Sequence, residues 1–253
     1  VRVLYDENQI YFAFHAFDRD PGAIKASVKS RDGNLSQDDL VRIYLDPYKT
    51  RRDGYIFEVN LLGARFDGLL QNNTDILAEW NTIWHAHGRL VADGWVAEVA
   101  IPFRSISYDV ANGDWGFDLF RLLRRKGERI RWSQIDNQRT SRDISRSGTL
   151  TGITNTAQGL GLDIQPFLAL RYKHEWRPPR EDDVTLEPSG NIYYKITPAL
   201  TGTLTFNTDF SDAPLDNRQV NTGRFGLFFP ETRDFFLQDA AVFEFGGNNI
   251  SND

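Results

Sequence analysis

Residues Leu200–Phe210 alternate between two chemistries. Leu200, Gly202, Leu204 and Phe206 fall on one side of an extended chain, and Thr201, Thr203, Thr205 and Asn207 on the other. Alternation with period 2 describes a strand with one apolar face. Its length suits one tilted crossing of a bilayer, about 9–11 residues. The run Gly190–Thr197 pairs with it across a bend at Pro198. Gly161–Tyr172 has the same character: Leu162, Ile164, Leu168, Leu170 and Tyr172 share a face, while Asp163, Gln165, Arg171 and Lys173 lie on or continue the other. The charged stretch Arg177–Asp183 reads as a loop and Gly223–Phe229 as a further strand; Phe235–Leu237 and Val242–Phe245 are apolar but short. The wall of an outer-membrane barrel has this pattern. Three or four such strands do not close a barrel, since the smallest has about eight. A second aqueous β-domain is the alternative for the same pattern.

The absence of Met, and a start at Val1–Tyr5 that reads as mid-strand, make this an expected internal segment of a longer protein. A signal peptide upstream and more alternating strands downstream are predicted. With no Cys, disulfides, thiol catalysis and Cys-based zinc sites are excluded. A net charge of −6 argues against non-specific nucleic-acid binding. No apolar run approaches the roughly 20 residues of a transmembrane helix.

The N-terminal part reads as short aromatic strands separated by turn residues. Gln9–Phe17 follows Asp6–Asn8, Leu40–Leu45 runs into Asp46–Pro47, Tyr55–Leu62 follows Asp53–Gly54, and Ala64–Leu70 follows Gly63. Ile83–Val91 and Trp95–Ile101 flank Asp93–Gly94, a hairpin signal. Phe103–Ser107 reads as a short helical turn, and Trp115–Leu123 and Arg129–Gln134 complete the set. Helical periodicity is nearly absent. The predicted fold class is all-β: an antiparallel, jelly-roll-like β-sandwich over residues 1–137, then the first strands of an incomplete outer-membrane barrel over 161–253. Between them, residues 138–160 carry Arg139, Arg142 and Arg146 among small polar residues, which predicts a solvated linker.

Three strings carry a resemblance. Val3–Phe14 with Asp18, Asp38–Asp46, and Gly94–Phe103 with Gly116–Asp118 occur in the order of the family 9 carbohydrate-binding modules; the Gly-Trp…Glu-x-x-Ile-Pro-Phe string of Gly94–Phe103 is the most specific. Residues 1 to about 135 therefore resemble that family, which implies a β-sandwich that binds sugars without cleaving them. The remainder resembles an uncharacterised outer-membrane β-barrel family that carries such a module in front. That likeness rests on Gly148–Ile153, Asn207–Ser211 and Gln219–Leu237.

Sugar recognition needs flat aromatic faces against pyranose C–H groups and planar polar side chains for the hydroxyls. The candidates are Tyr55, Trp80, Trp84 and Trp132, with Arg42, Glu58, Asn60 and Asn81. Trp80, at a loop-to-strand junction, is expected to be exposed. Trp84 shares a face with Ala86 and Leu90 and reads as core, as does Trp95. His85 and His87, with His15 elsewhere, could present imidazoles to a metal; solvated histidines on a polar strand face explain them equally. No cofactor is implied, although the resemblance allows a structural calcium on Asp38, Asp39, Asp46 or Asp53; turn-forming carboxylates are the simpler account. Glu98 lies inside an apolar strand, and Arg124–Arg131 is a basic run beside Trp132 that a solvated hairpin explains. No G-x-S-x-G, P-loop or dinucleotide fingerprint occurs, and no pair of carboxylates stands out for glycoside hydrolysis.

The expected function is non-catalytic glycan binding by a module joined to an outer-membrane barrel. The expected partners are a saccharide or envelope glycan and, through the C-terminal strands, outer-membrane lipid, but not nucleic acid. The N-terminal domain is expected on the periplasmic side. Two alternatives stand beside this reading: a domain that gates or stabilises the barrel without binding sugar, and an accessory part of a glycoside hydrolase.

Overall fold

The computed structural model describes residues 1–133, 141–157, 162–174, 182–197 and 200–207. It is all-β, with antiparallel sheets and a few 3₁₀ turns. The chain divides into two units, one N-terminal to about residue 158 and one following it. The apolar pieces proposed at Gly223–Phe229, Phe235–Leu237 and Val242–Phe245 lie outside the described residues.

The first unit is a sandwich. One sheet holds β1 (Arg2–Tyr5), β2 (Gln9–Phe17), β7 (His85–Val91) and β8 (Gly94–Pro102), in the order β1-β2-β8-β7. The other holds β3 (Leu40–Asp46), β4 (Gly54–Asn60), β5 (Arg65–Gln71), β6 (Asp75–Leu77), β9 (Trp115–Leu123) and β10 (Glu128–Arg131), in the order β10-β9-β3-β4-β5-β6; β11 (Gly148–Leu150) also pairs with β9. Alternation builds the core between the sheets. Ile10, Phe12, Phe14 and Ala16 of β2 and Trp95, Ala97, Val99 and Ile101 of β8 meet Val41, Ile43 and Leu45 of β3 and Phe57 and Val59 of β4. Phe103, in a 3₁₀ turn of Phe103–Ser105, extends the same core.

The hairpin at Asp93–Gly94 is present, but Ala92 and Asp93 make the turn and Gly94 opens β8. Gly94 has φ +148°, and a Cβ there would lie 2.2 Å from the Ala16 carbonyl oxygen of the neighbouring strand. Gly94→Ala is therefore expected to destabilise the sandwich by about 2 kcal/mol, read from its urea midpoint.

The predicted linker needs correction. Residues 141–157 belong to the sandwich: Ile153 enters the main core, β11 pairs with β9, and Ile144 caps the opposite face of the second sheet. Ile144 joins Leu35, Leu40, Tyr44, Ile56, Ala64, Leu70, Phe120 and Leu122 in a second apolar cluster. Both faces of the second sheet are thus buried over their centre.

The second unit is a three-stranded meander of β12 (Leu162–His174), β13 (Asp182–Thr197) and β14 (Leu200–Phe206). Its register puts Leu162, Ile164, Pro166, Leu168, Leu170 and Tyr172 directly opposite Tyr194, Ile192, Gly190, Pro188, Leu186 and Val184. Ile192 and Gly190 in turn face Leu204 and Phe206. One face is consequently apolar from end to end. The other carries Asp163, Gln165, Arg171, Lys173, Asp183, Thr185, Glu187, Ser189, Asn191, Thr203 and Thr205.

Candidate functional site

The structure separates the predicted site residues. Trp80 is buried, which corrects its expected exposure: its ring lies 5.1 Å from that of Tyr55 and 6.4 Å from that of Phe57, and it belongs to the main core. Tyr55 and Phe57 sit two residues apart on β4, so their side chains point the same way and together close on the indole. The Tyr55 hydroxyl accepts from the Ser107 N–H at 2.9 Å. Trp84 is also buried; its Nε1–H donates to Asp67 at 3.0 Å, and the Arg65 guanidinium lies 5.6 Å above its ring. Neither indole offers a face to a ligand. The loop between them is held as well: Thr82 N–H donates to Asp67 at 2.7 Å, and Arg31 bridges Asp67 and the Thr82 carbonyl. Burial pushes the Asp67 carboxyl up, against these donors. Asn81 is exposed and donates to its own loop at Glu79.

Arg42 and Asn60 are structural in their contacts. Arg42 pairs with Glu58, its register partner on β4, at 2.5 Å, and donates to the Tyr44 hydroxyl at 2.6 Å. Arg42 and Arg131 lie 5.5 and 4.7 Å from the Tyr44 ring centroid, Arg131 pairs with Asp118, and the Tyr44 hydroxyl donates to the Ser141 carbonyl. Burial works against the Arg42 charge, but Glu58 and Tyr44 outweigh it and raise its pKa, while burial also raises that of Tyr44. In sequence Arg42 and Glu58 are candidates for hydrogen bonds to sugar hydroxyls. In the structure the segment around Ser141 and Ile144 covers Tyr44 beside them. Asn60 is fully buried: its amide donates to Val28 O and Asp38, both at 2.8 Å, and its oxygen accepts from Leu62 and Ala64.

Trp132 differs. It is 59% exposed. Its backbone N–H donates to Leu119 O at 2.9 Å, its ring leans on Phe117 at 5.7 Å, and Gly148 lies against it, since a Cβ at 148 would sit 2.3 Å from the indole. Gly148 thus leaves room for a ring that is braced on one side and open to water. Of the four candidate rings, Trp132 is the one exposed.

The carboxylates weighed for calcium accept N–H and O–H donors. Asp38 accepts from Ser27 N and Oγ, Val28 N and Asn60; Asp46 from Thr50 N and Arg51 N; Asp53 from Asn72 N and Arg52. His85 and His87 stand exposed on β7, with His87 opposite Glu98, whereas His15 pairs with Asp93 at 2.9 Å. Among the described residues, no group of three or more potential ligands converges.

The meander presents a different kind of site. Leu168, Leu170, Leu186 and Leu204 are 59–70% exposed, while Ser189 and Tyr193 on the polar face are 8% and 5% exposed. In water the reverse is normal. The sequence signal for this is the alternation along Leu162–Tyr172 and Leu200–Phe206.

No family profile and no curated protein matches the chain. Three solved structures are similar to it, each over 59% of this chain. One is a protein from Bacteroides uniformis described as carbohydrate-binding, 16% identical, with 76% of that chain covered and a TM-score of 0.49. Another is a family 9 carbohydrate-binding module from Caldicellulosiruptor kristjanssonii in complex with cellotriose, 17% identical, 71% covered, TM-score 0.42. The same organism's family 9 module with glucose is 18% identical, 73% covered, TM-score 0.40.

Proposed function

We propose that this chain joins a non-catalytic glycan-binding sandwich to a wall segment of a bacterial outer-membrane β-barrel. The observation that carries the membrane half is the inverted burial of the meander. An apolar face of exposed Leu, Ile, Val and Tyr side chains costs free energy in water at about 25 cal/mol per Å², and lipid removes that cost. No helix among the described residues is long and apolar enough to cross a membrane, so strands would make the crossing.

The glycan half rests on two supports. One is the family 9-like strings at Val3–Phe14, Asp38–Asp46 and Gly94–Phe103, all within β-strands or their connections in the sandwich. The other is Trp132, whose open indole suits a pyranose ring. A binding role suits the four most fully paired buried carboxylates better than a catalytic one. Glu58, Asp67 and Asp118 are each paired with an arginine, and Asp38 is saturated with donors. Glycoside hydrolysis requires a free acid and base facing across a cleft, and these four carboxylates do not supply them.

A glycan array probed with the sandwich tests this. Binding that falls at least tenfold in Trp132→Ala, with an unchanged thermal midpoint, is the expected result. A blank array from a folded sandwich would favour a structural or gating domain. That second reading is favoured by one specific observation, the burial of Trp80 and Trp84.

A further inference from the structure

We infer that the outer face of the first sheet binds an acidic polysaccharide through its sugar carboxylates, and that this binding tightens as the pH falls below neutral. The surface is separate from Trp132, which follows β10 on the second sheet.

Strand register assembles the face. Ile10, Phe12, Phe14 and Ala16 enter the core, so Tyr11, Ala13, His15 and Phe17 point outward; Val96, Glu98 and Ala100 do so on β8 for the same reason. Pairing puts His85 beside Ala100, His87 beside Glu98 and Arg89 beside Val96 on one flank. On the other flank Tyr11, Ala13 and His15 lie beside Ala100, Glu98 and Val96, with Arg2 beyond Ala13. Three of the chain's four histidines therefore stand on one face. β8 forms a low strip between the flanks, because Val96 and Ala100 are short, and Glu98 rises from its middle. Phe17 closes one end; it is 63% exposed, and its ring centroid lies 3.9 Å from that of His15.

Some polar groups here are engaged and others are open. Asp6 accepts from the Asn8 and Gln9 N–H groups at 2.7 and 2.9 Å and from the Tyr11 hydroxyl at 2.8 Å, and Asp93 pairs with His15 at 2.9 Å. Among the described residues, the exposed side chains of Arg2, His85, His87, Arg89 and Glu98 form no hydrogen bond or ion pair. Behind β7, the turn after β4 brings the Leu61 carbonyl up to Gly88, and Arg65 donates to the Trp84 carbonyl just before His85. The cations inside the sandwich are committed: Arg31, Arg42 and Arg131 each hold a carboxylate.

The arrangement selects a ligand. His85, His87 and Arg89 recur at every second residue, about 6–7 Å apart. Such a row suits a linear polymer with a repeating anion better than one small ion. Glu98 narrows the choice among anions. It repels a phosphate chain, which has no donor to offer it, and it accepts from the hydroxyls that every sugar carries. A uronic acid supplies both partners, a carboxylate for the β7 row and hydroxyls for Glu98, and Phe17 offers a ring to pyranose C–H groups. Histidine is the side chain whose charge ordinarily changes between about pH 5 and 8. With neutral imidazoles, Arg2 and Arg89 face Asp6, Asp93 and Glu98. Protonation of His15, His85 and His87 turns that balance positive, while a sugar carboxylate stays ionised above about pH 4.

Polygalacturonate, its fully methyl-esterified form and inorganic polyphosphate are the probes, each titrated calorimetrically into the full-length protein at pH 8 and pH 6 and at one ionic strength. Polygalacturonate is expected to bind about tenfold more tightly at pH 6 than at pH 8. At pH 6 the other two polymers should bind about tenfold more weakly than it does. The double variant His85→Gln/His87→Gln should lose most of the pH dependence, and Arg89→Gln should weaken binding at both pH values. Arg129→Gln removes the same charge from an exposed position on β10 and should change neither. All these side chains are exposed, so the thermal midpoints should match that of the native protein. No binding of polygalacturonate at pH 6 by the folded protein overturns the inference. Equal binding of the esterified polymer, or tighter binding of polyphosphate, also overturns it. Equal losses in Arg129→Gln and Arg89→Gln would mean a response to net charge and not to this face, which overturns it too. An affinity that does not change between the two pH values removes the role of the histidines.

Discussion

Asp38→Ala is expected to destabilise the sandwich by about 4 kcal/mol, and the thermal midpoint to fall by roughly 10 °C. The Asp38 side chain is buried and serves as an acceptor for four donors: Ser27 N–H at 2.9 Å, Ser27 Oγ–H at 2.7 Å, Val28 N–H at 2.9 Å and Asn60 Nδ2–H at 2.8 Å. Truncation leaves all four unpaired, and each buried unpaired donor costs about 1–3 kcal/mol before relaxation. Asn60 is coupled to the loss, because its amide also orders the turn through Leu62 and Ala64. The same site gives a pH signature. Burial pushes the Asp38 carboxyl up, but the Val28 and Ser27 donors and the Asn60 amide outweigh it and hold the pKa below the ordinary carboxylate range. The folded-state value is thus depressed relative to the unfolded chain. The stabilisation is therefore complete above the unfolded value of about 3.9 and is lost as pH falls through the lower folded value. The gap in stability between the native protein and Asp38→Asn should be widest near neutral pH and narrow below about pH 4. Urea titrations of both proteins from pH 7 down to 3 check it. A gap that does not change with pH would mean that the charge contributes nothing.

Strand positions were readable because alternation is local. Trp95, Ala97, Val99 and Ile101 face inward for the reason visible in their spacing, and Leu162 to Tyr172 line one face for the same reason. Side-chain exposure at chain junctions was not readable in that way. Trp80 sits in a loop, and nothing within a few residues says that Tyr55 and Phe57, more than 20 positions upstream, will close on it. The segment 141–157 misled for a related reason. Its composition is that of a linker, and its two anchors, Ile144 and Ile153, are isolated among Ser, Thr and Arg; their burial depends on β9 and β3 offering a face. A lone Ile at such a spacing is the one available signal. The Arg42–Glu58–Tyr44 row shows the converse. Arg42 and Glu58 have the chemistry to bind sugar hydroxyls, yet they pair with one another, and Tyr44 beside them is covered by a segment about 100 residues away. Among the candidate site residues, Trp132 was identifiable as a residue type, but the position of its ring depends on Gly148, which is remote in sequence and adjacent in space.

Leu168→Arg should cost about 3 kcal/mol of folding free energy in lipid, whereas Ala169→Arg, one position along, should cost close to nothing. The two residues are neighbours in sequence and point to opposite faces of β12. Leu168 lies near the middle of the apolar face of β12 and is 67% exposed, so under the proposed membrane reading its replacement would place a guanidinium deep in hydrocarbon. The cost of a charge there is about 2–4 kcal/mol and falls towards the interfaces, so Tyr172→Arg, at the end of that face, should cost less than about 1 kcal/mol. Ala169 shares its face with Arg171, Glu187 and Lys173, among which another cation is already solvated. Urea titration of the full-length protein in phospholipid vesicles, read from the gel shift of folded barrel, measures all three. The ordering matters more than any single value. An aqueous sheet would tolerate Arg at Leu168 as easily as at Ala169, because both would meet water. A sheet whose apolar face docks on another protein domain would lose stability at Leu168 and at Tyr172 alike, since packing has no depth gradient. A large penalty at 168, a small one at 172 and none at 169 requires a solvent whose polarity changes along the strand, and a bilayer has that property.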